Sequence, residues 1–586
     1  MSSRRLAASQ GKGVIGEETK RKRRQRTKIE DRVSGEEAKT KRRQTKRQRQ
    51  KIEKTDEEKK HEERNLALLA LLDQPRSISQ FKHIHALLIT SGLSHQPPFN
   101  SKVFSLLANS GHADYTHRLL LHCPNPSVIN WNTVIRAYSG SRTPNKSIRV
   151  FVEMLRFGMC PDHFTYPFLV KASARLSSIE HGMLVHSRVI KTGHHLDLFI
   201  QNSLIHMYGS CVEILYACKV FDEMSHRTMV SWNSMLDGYA KCRDLKRARE
   251  FFESMPEKDT VSWSSLIDGY VKGGEYREAI AVFERMKVAG LPKANEVTLV
   301  SVLCACAHLG ILELGRSMHR YMVENELPLT IALLTSLVDM YAKCGAIEEA
   351  LVVFKSIPKE RTDVLLWNTM IGGLANHGHV QDSLELFAEM QVAGVAPDEI
   401  TYLSLLSACA HGGLIREAWR FFESLESNAM MPKTEHYACM VDVLSRAGQV
   451  REAYDFLSRM PVEPTPAMLG ALLSGCMNHG KLELAEKVGK RLIEVDPHHD
   501  GRYVGLSNAY AAVKRWEDAK TMRQTMEKLG VKKSAGFSCV EISGSLDLFI
   551  AHDKTHPKAV EIYAMGNLIL MQIKRVLHSH EQEIFL

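Results

Sequence analysis

The stretch Asn130–Tyr138 reads NWNTVIRAY, and the same phrase returns as Ser231–Tyr239 (SWNSMLDGY), Ser262–Tyr270 (SWSSLIDGY) and Leu366–Leu374 (LWNTMIGGL). Its tryptophans, Trp131, Trp232, Trp263 and Trp367, are spaced by 101, 31 and 104 residues. Other landmarks keep the same beat. Lys171–Ala174 (KASA) and Cys304–Ala307 (CACA) lie 133 residues apart, as do Met207–Cys211 (MYGSC) and Met340–Cys344 (MYAKC). Ser404–Gly413 (SLLSACAHGG) follows Ser301–Gly310 (SVLCACAHLG) by 103. All fit units of 31 to 36 residues in three lengths, forming triplets of 101, with one extra 31-residue unit at Met229–Asp259. Self-similarity at such a period marks a repeat architecture.

Each unit reads as two helices. Trp131, Val134, Ile135 and Tyr138 fall at i, i+3, i+4 and i+7, one apolar face of a helix. Ala279, Phe283 and Met286 continue the period in a second helix, which Gly290 ends; Pro161 and Pro397 stand just past similar ends. One helical hairpin cannot cover its own apolar stripe, but stacked neighbours can. The tryptophans, cysteines and methionines of these stripes are therefore expected in the core.

Bulk properties narrow the function classes. The chain has 586 residues, too many for one compact core. It contains no apolar run long enough to span a membrane. Its net charge of +10 is concentrated in residues 1–65, which hold 23 Lys and Arg against 12 Asp and Glu. The remainder has 54 basic and 55 acidic residues, so affinity for a polyanion there has to come from placement of charge. Residues 1–65 alternate basic runs with acidic clusters and lack aromatics, a composition expected to be disordered. Twelve acidic residues make it a poor organellar transit peptide. A solvated tail is the plainest reading; a nuclear address or a misassigned start codon are the alternatives. The twelve cysteines include no C-x-x-C pair, which fits buried thiols in a reducing compartment.

Period alone does not separate this array from tetratricopeptide repeats. The phrases KVFDEM (219–224), MYAKCG (340–345), EHYACMVDVLSRAGQ (435–449) and LSNAYAAVKRW (506–516), with the alternating unit lengths, resemble the P, L and S motifs of plant pentatricopeptide repeat proteins. The resemblance covers roughly residues 66–575. It implies an all-α fold, a right-handed α-solenoid of helix-turn-helix repeats, with a small C-terminal β-hairpin and helix extension. The domains expected are a charged N-terminal segment (1–65), the repeat array (66–465), an E extension of tetratricopeptide-like hairpins (466–533), and an E+ extension with the tail (534–586).

The family is implied to read single-stranded RNA, one repeat per base, with two or three side chains. The units are Pro97–Ser127, Val128–Asp162, His163–Asp197, Leu198–Thr228, Met229–Asp259, Thr260–Asn295, Glu296–Thr330, Ile331–Asp363, Val364–Asp398, Glu399–Lys433 and Thr434–Thr465, preceded by an imperfect one. By resemblance, the fifth and last residues of each unit face the base. A terminal Asp only accepts hydrogen bonds and suits the ring N–H of uracil or guanine, whereas Asn can donate to adenine or cytosine. By resemblance, Asn at the fifth place favours pyrimidines and Ser or Thr purines, so Asn132/Asp162 implies U, Asn202/Thr228 a pyrimidine, Asn233/Asp259 U, Ser264/Asn295 A, Thr335/Asp363 G and Asn368/Asp398 U. The L units carry Pro167, Val300 and Leu403 at the fifth place and are expected to be unread. The implied site is U-x-Y-U-A-x-G-U, 5′ to 3′, given the family's parallel polarity. Ile129, Phe199, Val230, Val261, Val297, Leu365 and Ile400 hold the second place, where the family flanks the bases; a core stripe is the structural alternative. Lys241, Lys272 and Lys343 share the thirteenth place and are candidates for phosphate contact, or simply solvated.

After Thr465 two more hairpins resemble the E extension. GFSCVEISGSLDLFIAHDKTHP then alternates polar and apolar residues around Ser543-Gly544, a hairpin signal, and resembles E+ with Cys539 in place of Trp. Members so extended are implied to specify C-to-U editing sites in organellar transcripts. Deaminase chemistry needs a zinc set of the type H-x-E…P-C-x-x-C. The only H-x-E is His61–Glu63, and His578, His580 and Glu581 have no cysteine partner nearby. The chain is therefore expected to be no enzyme, to hold no metal or cofactor, and to recruit a deaminase and accessory proteins through 466–576. Its location is expected to be mitochondrion or chloroplast, the former favoured. A splicing or stability factor and a protein scaffold are the competing readings. A scaffold has no evident reason to keep Asn/Asp pairs in register.

Overall fold

The computed structural model describes residues 78–93, 96–290, 293–533, 536–542, 545–550 and 554–583. The expectations for residues 1–65, including His61–Glu63, and for the turn at Ser543-Gly544 lie outside the described residues. The fold is an α-solenoid. By its contacts the chain divides into two compact units, Met1–Met207 and Tyr208–Leu586.

In the first unit, the described helices begin with Ile78–Thr90 and then alternate as hairpins. The first helices of these hairpins include Pro97–Asn109, Val128–Gly140 and Thr165–Arg175, and each touches the next. In the second unit, Met229–Lys241, Thr260–Gly273, Glu296–Leu309, Ile331–Lys343, Val364–Asn376, Glu399–Gly412 and Thr434–Arg446 likewise form one continuous layer. The second helices, such as Tyr276–Val288, touch their own first helix and the one that follows, making an outer layer. A first helix starts on the first residue of the repeat at ten of the eleven units read from sequence. The exception is His163–Asp197, whose helix starts at Thr165.

The core lies between the layers. Trp131, Val134, Ile135 and Tyr138 are all buried, as are Ala279, Phe283 and Met286. Trp367 stands edge-on to Phe354 with ring centroids 4.9 Å apart, and its Nε1–H donates to Thr362 Oγ1 at 3.0 Å. Cys306, Cys409 and Cys476 are buried; burial pushes the Cys409 thiol up to about 12 and Cys476 to about 11. Such thiols stay protonated and inert at neutral pH.

At least six first helices are opened by the side chain of the last residue of the preceding repeat. The side chains of Ser127, Asp259, Asn295, Thr330, Asp363 and Asp398 accept the backbone N–H three residues on, the N-cap arrangement. Where a first helix ends, Gly274 and Gly345 take the left-handed backbone (φ 83° and 84°), while Val212 and Arg243 adopt it at the matching place of other repeats (φ 63° and 56°).

Past the repeats come two hairpins, Pro466–Asn478 with Leu482–Val495 and Asp500–Ala512 with Trp516–Lys528. Strand β1, Phe537–Ile542, pairs antiparallel with β2, Ser545–Ile550, in the register Phe537↔Ile550 to Ile542↔Ser545. A helix, Ala559–Glu583, follows. Among the described residues no helix is long and apolar enough to cross a membrane.

Candidate nucleic-acid interface

Second, fifth, ninth and thirteenth residues of a first helix are spaced three or four apart and share one face. On that face the structure brings together three of the five residue pairs read from sequence that lie within one compact unit. Asn132 Nδ2 donates to Asp162 Oδ1 at 2.9 Å, Asn233 Nδ2 to Asp259 Oδ1 at 3.2 Å and Asn368 Nδ2 to Asp398 Oδ1 at 2.8 Å. A third residue closes each group. The hydroxyls of Thr165, Ser262 and Thr401 donate to the amide oxygens of Asn132 (2.7 Å), Asn233 (2.8 Å) and Asn368 (2.6 Å). Each asparagine is thereby held with its amide orientation fixed by one donor and one acceptor.

The carboxylates are used asymmetrically. Asp162 Oδ1 accepts from Asn132, from the backbone N–H of Phe164 and Thr165, and stands 2.9 Å from the Thr165 hydroxyl. Asp398 Oδ1 is engaged in the same way by Asn368 and Thr401. Asp259 differs in that Asn233 Nδ2 also reaches its second oxygen, at 3.4 Å. Burial pushes the carboxyls of Asp162, Asp259 and Asp398 up, but the hydrogen bonds from the asparagine and the Ser or Thr outweigh it. All three sit below the ordinary aspartate value and are anions at neutral pH.

The other pairs differ. Ser264 Oγ and Thr335 Oγ1 donate back into their own helix, to the carbonyls of Val261 (3.0 Å) and Ile331 (2.8 Å). Asn295 and Asp363 serve as caps. Asn202 belongs to the first compact unit, where its Oδ1 is buried with no partner among the described atoms. Thr228, in the second, receives no cap bond of that kind; its N–H donates to Ser231 Oγ at 3.1 Å.

Ile129, Phe199, Val230, Val261, Val297, Leu365 and Ile400 are 48–72% exposed, so they do not begin a core stripe. Phe164, also exposed at the second place of its repeat, belongs to the same row. The sequence reading misses it, although the register that gives Val297 and Ile400 in the other L units identifies it equally. The lysines are not solvated singly. Lys241 pairs with Asp237 (2.7 Å), Lys272 with Asp268 (2.6 Å) and Lys343 with Asp339 (2.9 Å), each one turn away. Arg446 repeats the arrangement with Asp442 (2.8 Å). A phosphate would have to share these cations with a carboxylate, at an exposed ion pair worth about 0–1 kcal/mol. The i, i+4 spacing of the acid was legible in the sequence; its meaning depends on the shared helical face.

Comparison with known proteins decides the family. One pentatricopeptide repeat-containing protein of Arabidopsis thaliana is 63% identical over 500 residues, covering 85% of this chain and 94% of that protein. The chain belongs to the pentatricopeptide repeat family. Profiles of the PPR repeat match at 202–228, 230–260, 261–291, 333–361, 400–429 and 435–463, those of the PPR repeat family at 126–175 and 362–411, and the E motif at 479–541. Further Arabidopsis relatives named as PPR proteins include a mitochondrial one (36% identical, covering 85% of this chain and 88% of that protein) and a chloroplastic one (38%, 87% and 91%). The crystal structure of the PPR protein PPR10 in complex with an 18-nt psaJ RNA element superposes with TM-score 0.54 at 18% identity, covering 80% of this chain and 75% of PPR10. At that identity the likeness speaks for the fold. Among the described residues no group of three His, Cys, Asp or Glu is placed to hold a metal ion.

Proposed function

We propose that this PPR protein binds a single-stranded organellar RNA by sequence and marks a cytidine in it for C-to-U editing by a deaminase recruited in trans. The observation that carries the RNA reading is the closed Asn–Asp–Ser/Thr group. It occurs three times, presents a fixed amide beside a carboxylate whose second oxygen is engaged at most by a long 3.4 Å bond, that from Asn233 to Asp259, and is flanked by exposed apolar side chains. A carboxylate oxygen that accepts and an amide that is held in one orientation suit the Watson–Crick edge of uracil. Asn132/Asp162, Asn233/Asp259 and Asn368/Asp398 are assigned to U; Ser264/Asn295 to A, Thr335/Asp363 to G and Asn202/Thr228 to a pyrimidine. Residues 66–465 form the RNA-binding array, and 466–576 is the surface for the deaminase and accessory proteins. The E motif at 479–541 supports the editing role over splicing or transcript stability. Relatives named mitochondrial and chloroplastic support an organellar address, for which the mitochondrion is the first choice.

Binding to RNA containing U-x-Y-U-A-x-G-U tests the interface. Replacing the U opposite Asn233/Asp259 by G keeps a ring N–H for Asp259 but not the fit to the Asn233 amide, and is expected to weaken binding about five- to tenfold, the size of one lost neutral hydrogen bond. Editing profiles of a loss-of-function line test the outcome. Unchanged editing of every organellar cytidine, with an altered intron or transcript end, would replace editing by splicing or stability.

A further inference from the structure

We infer that an open cavity in the first compact unit is a phosphate-binding site that grips the RNA strand ahead of the first read base by its backbone. This rests on the proposed RNA reading, in which Asn132/Asp162 opens the read stretch. The cavity measures about 1050 Å³, and its charged lining consists of Lys82, Arg118, Arg136, Arg142, Arg175 and Asp114. Five cations face one carboxylate, and that carboxylate is already engaged by Lys146 Nζ at 2.6 Å and by the Tyr138 hydroxyl at 2.8 Å. Among the described residues none of the five cations makes an ion pair. Two guanidinium groups are set in place by neutral acceptors: Arg136 Nη2 donates to Asn109 Oδ1 (3.2 Å) and Arg175 Nη1 to the Ser139 carbonyl (3.0 Å). Each guanidinium carries five N–H donors, so a planar fork remains for phosphate oxygens.

The contrast with the second compact unit shows that this charge is unusual for the array. There the ninth residue of a first helix is acidic in four of the seven repeats, Asp237, Asp268, Asp339 and Asp442, each neutralising the cation at the thirteenth, and uncharged in the other three, Cys304, Gly372 and Ser407. In Val128–Asp162 and His163–Asp197 the ninth residue is Arg136 or Lys171, and Arg175 holds the thirteenth place of the latter. A base stands where the second unit has an acid or an uncharged residue, on the face that also carries Ile129, Asn132 and Phe164. Outside residues 1–65 the chain has no excess of basic residues, so this local surplus is a matter of placement. No asparagine–aspartate group lines the cavity, and arginine forks without such a group bind phosphates and not base edges.

The test uses the full-length chain and three RNAs: the read stretch alone, and the same stretch with a short 5′ or 3′ extension of fixed, unrelated sequence. The slope of log K against log salt is expected to steepen with the 5′ extension by about 0.7 per phosphate held, roughly 2 for three phosphates, and by less with the 3′ extension. The triple variant Arg118→Gln, Arg136→Gln, Arg142→Gln should lose that increment. The matching Arg→Lys variant should keep it, and both should discriminate U from G opposite Asn233/Asp259 as before. No added slope from the 5′ extension on the wild-type protein overturns the inference without any variant, as does a folded Gln variant that keeps the slope. Heat released on titrating inorganic tripolyphosphate, lost in the Gln variant while the extension adds nothing, would assign the cavity to free phosphates instead. Loss of U/G discrimination with the extension effect intact would sink the base-reading proposal and leave the cavity assignment standing.

Discussion

Repeats that close an Asn–Asp group and repeats that carry Pro167, Val300 or Leu403 share one skeleton and differ at one place. Asp197 ends an L unit and accepts the N–H of Phe199 (2.9 Å) and Ile200 (3.0 Å), just as Asp259 ends a read unit and accepts the N–H of Ser262 (2.8 Å). Helix initiation asks for such a residue in both classes. A terminal aspartate in register is therefore no evidence of base recognition by itself, and a protein scaffold would keep it too. The fifth residue separates the classes. Its amide bridges to the cap in three repeats, and nothing in helix initiation requires it there.

The contrast can be attacked most strongly at Asn368. Asn368→Leu gives a read repeat the fifth residue of an L unit. Affinity for RNA with U at that place should fall about five- to tenfold, corresponding to about 1–1.5 kcal/mol for a lost amide hydrogen bond. Fluorescence anisotropy with U- and G-containing RNAs measures it, and a surviving U/G preference would move the reading to another residue. Asp259→Ala and Asp197→Ala should each cost about 1 kcal/mol of stability through the lost cap. Only the first should also lose base discrimination; equal losses in a paired denaturation and binding experiment would erase the distinction between the classes. In the opposite direction, Leu403→Asn combined with Lys433→Asp should build a read repeat and add about 1 kcal/mol of preference for U over G at that position.

A smaller effect concerns acid. Hydrogen bonds hold the folded carboxyls of Asp162, Asp259 and Asp398 below their ordinary value. Stability from them is fully present above the ordinary aspartate range and is lost as pH falls through the depressed folded values. Urea midpoints followed downward from neutral pH should decline later in the wild type than simple carboxylate titration would give, and Asp259→Asn should flatten part of that decline. The smallest expected change is Lys272→Gln: less than about 0.5 kcal/mol in stability, and a salt slope shallower by at most about 0.7. A larger stability loss would mean that its pairing with Asp268 supports the helix and not the ligand.

Much of the fold was legible because the apolar stripes of Trp131–Tyr138 and Ala279–Met286 keep a strict helical period, and because capping residues punctuate the repeats. The choice of the fifth and last positions comes from the family resemblance, counted along that register. Other parts of the site depend on neighbours that sequence does not align. Thr165, Ser262 and Thr401 each sit at the third place of the following repeat and matter only because two first helices lie side by side. Ser264 and Thr335 look equivalent to the asparagines in sequence but turn back to their own helix, since a short hydroxyl reaches the carbonyl one turn earlier. The basic cavity draws Lys82, Arg118 and Arg175 from different helices, which no window of sequence displays together.

The double duty of the last residue reaches beyond this molecule's own ligand. Of the eleven terminal residues from Ser127 to Thr465, ten are Ser, Thr, Asn or Asp. Those four are the side chains that open helices well. If the last place also chooses among bases, its vocabulary is limited to what the next helix will accept as a beginning. Retargeting such a protein is then lopsided. The fifth place can be rewritten in small steps, whereas the last has four usable letters, each tied to the stability of the neighbouring turn.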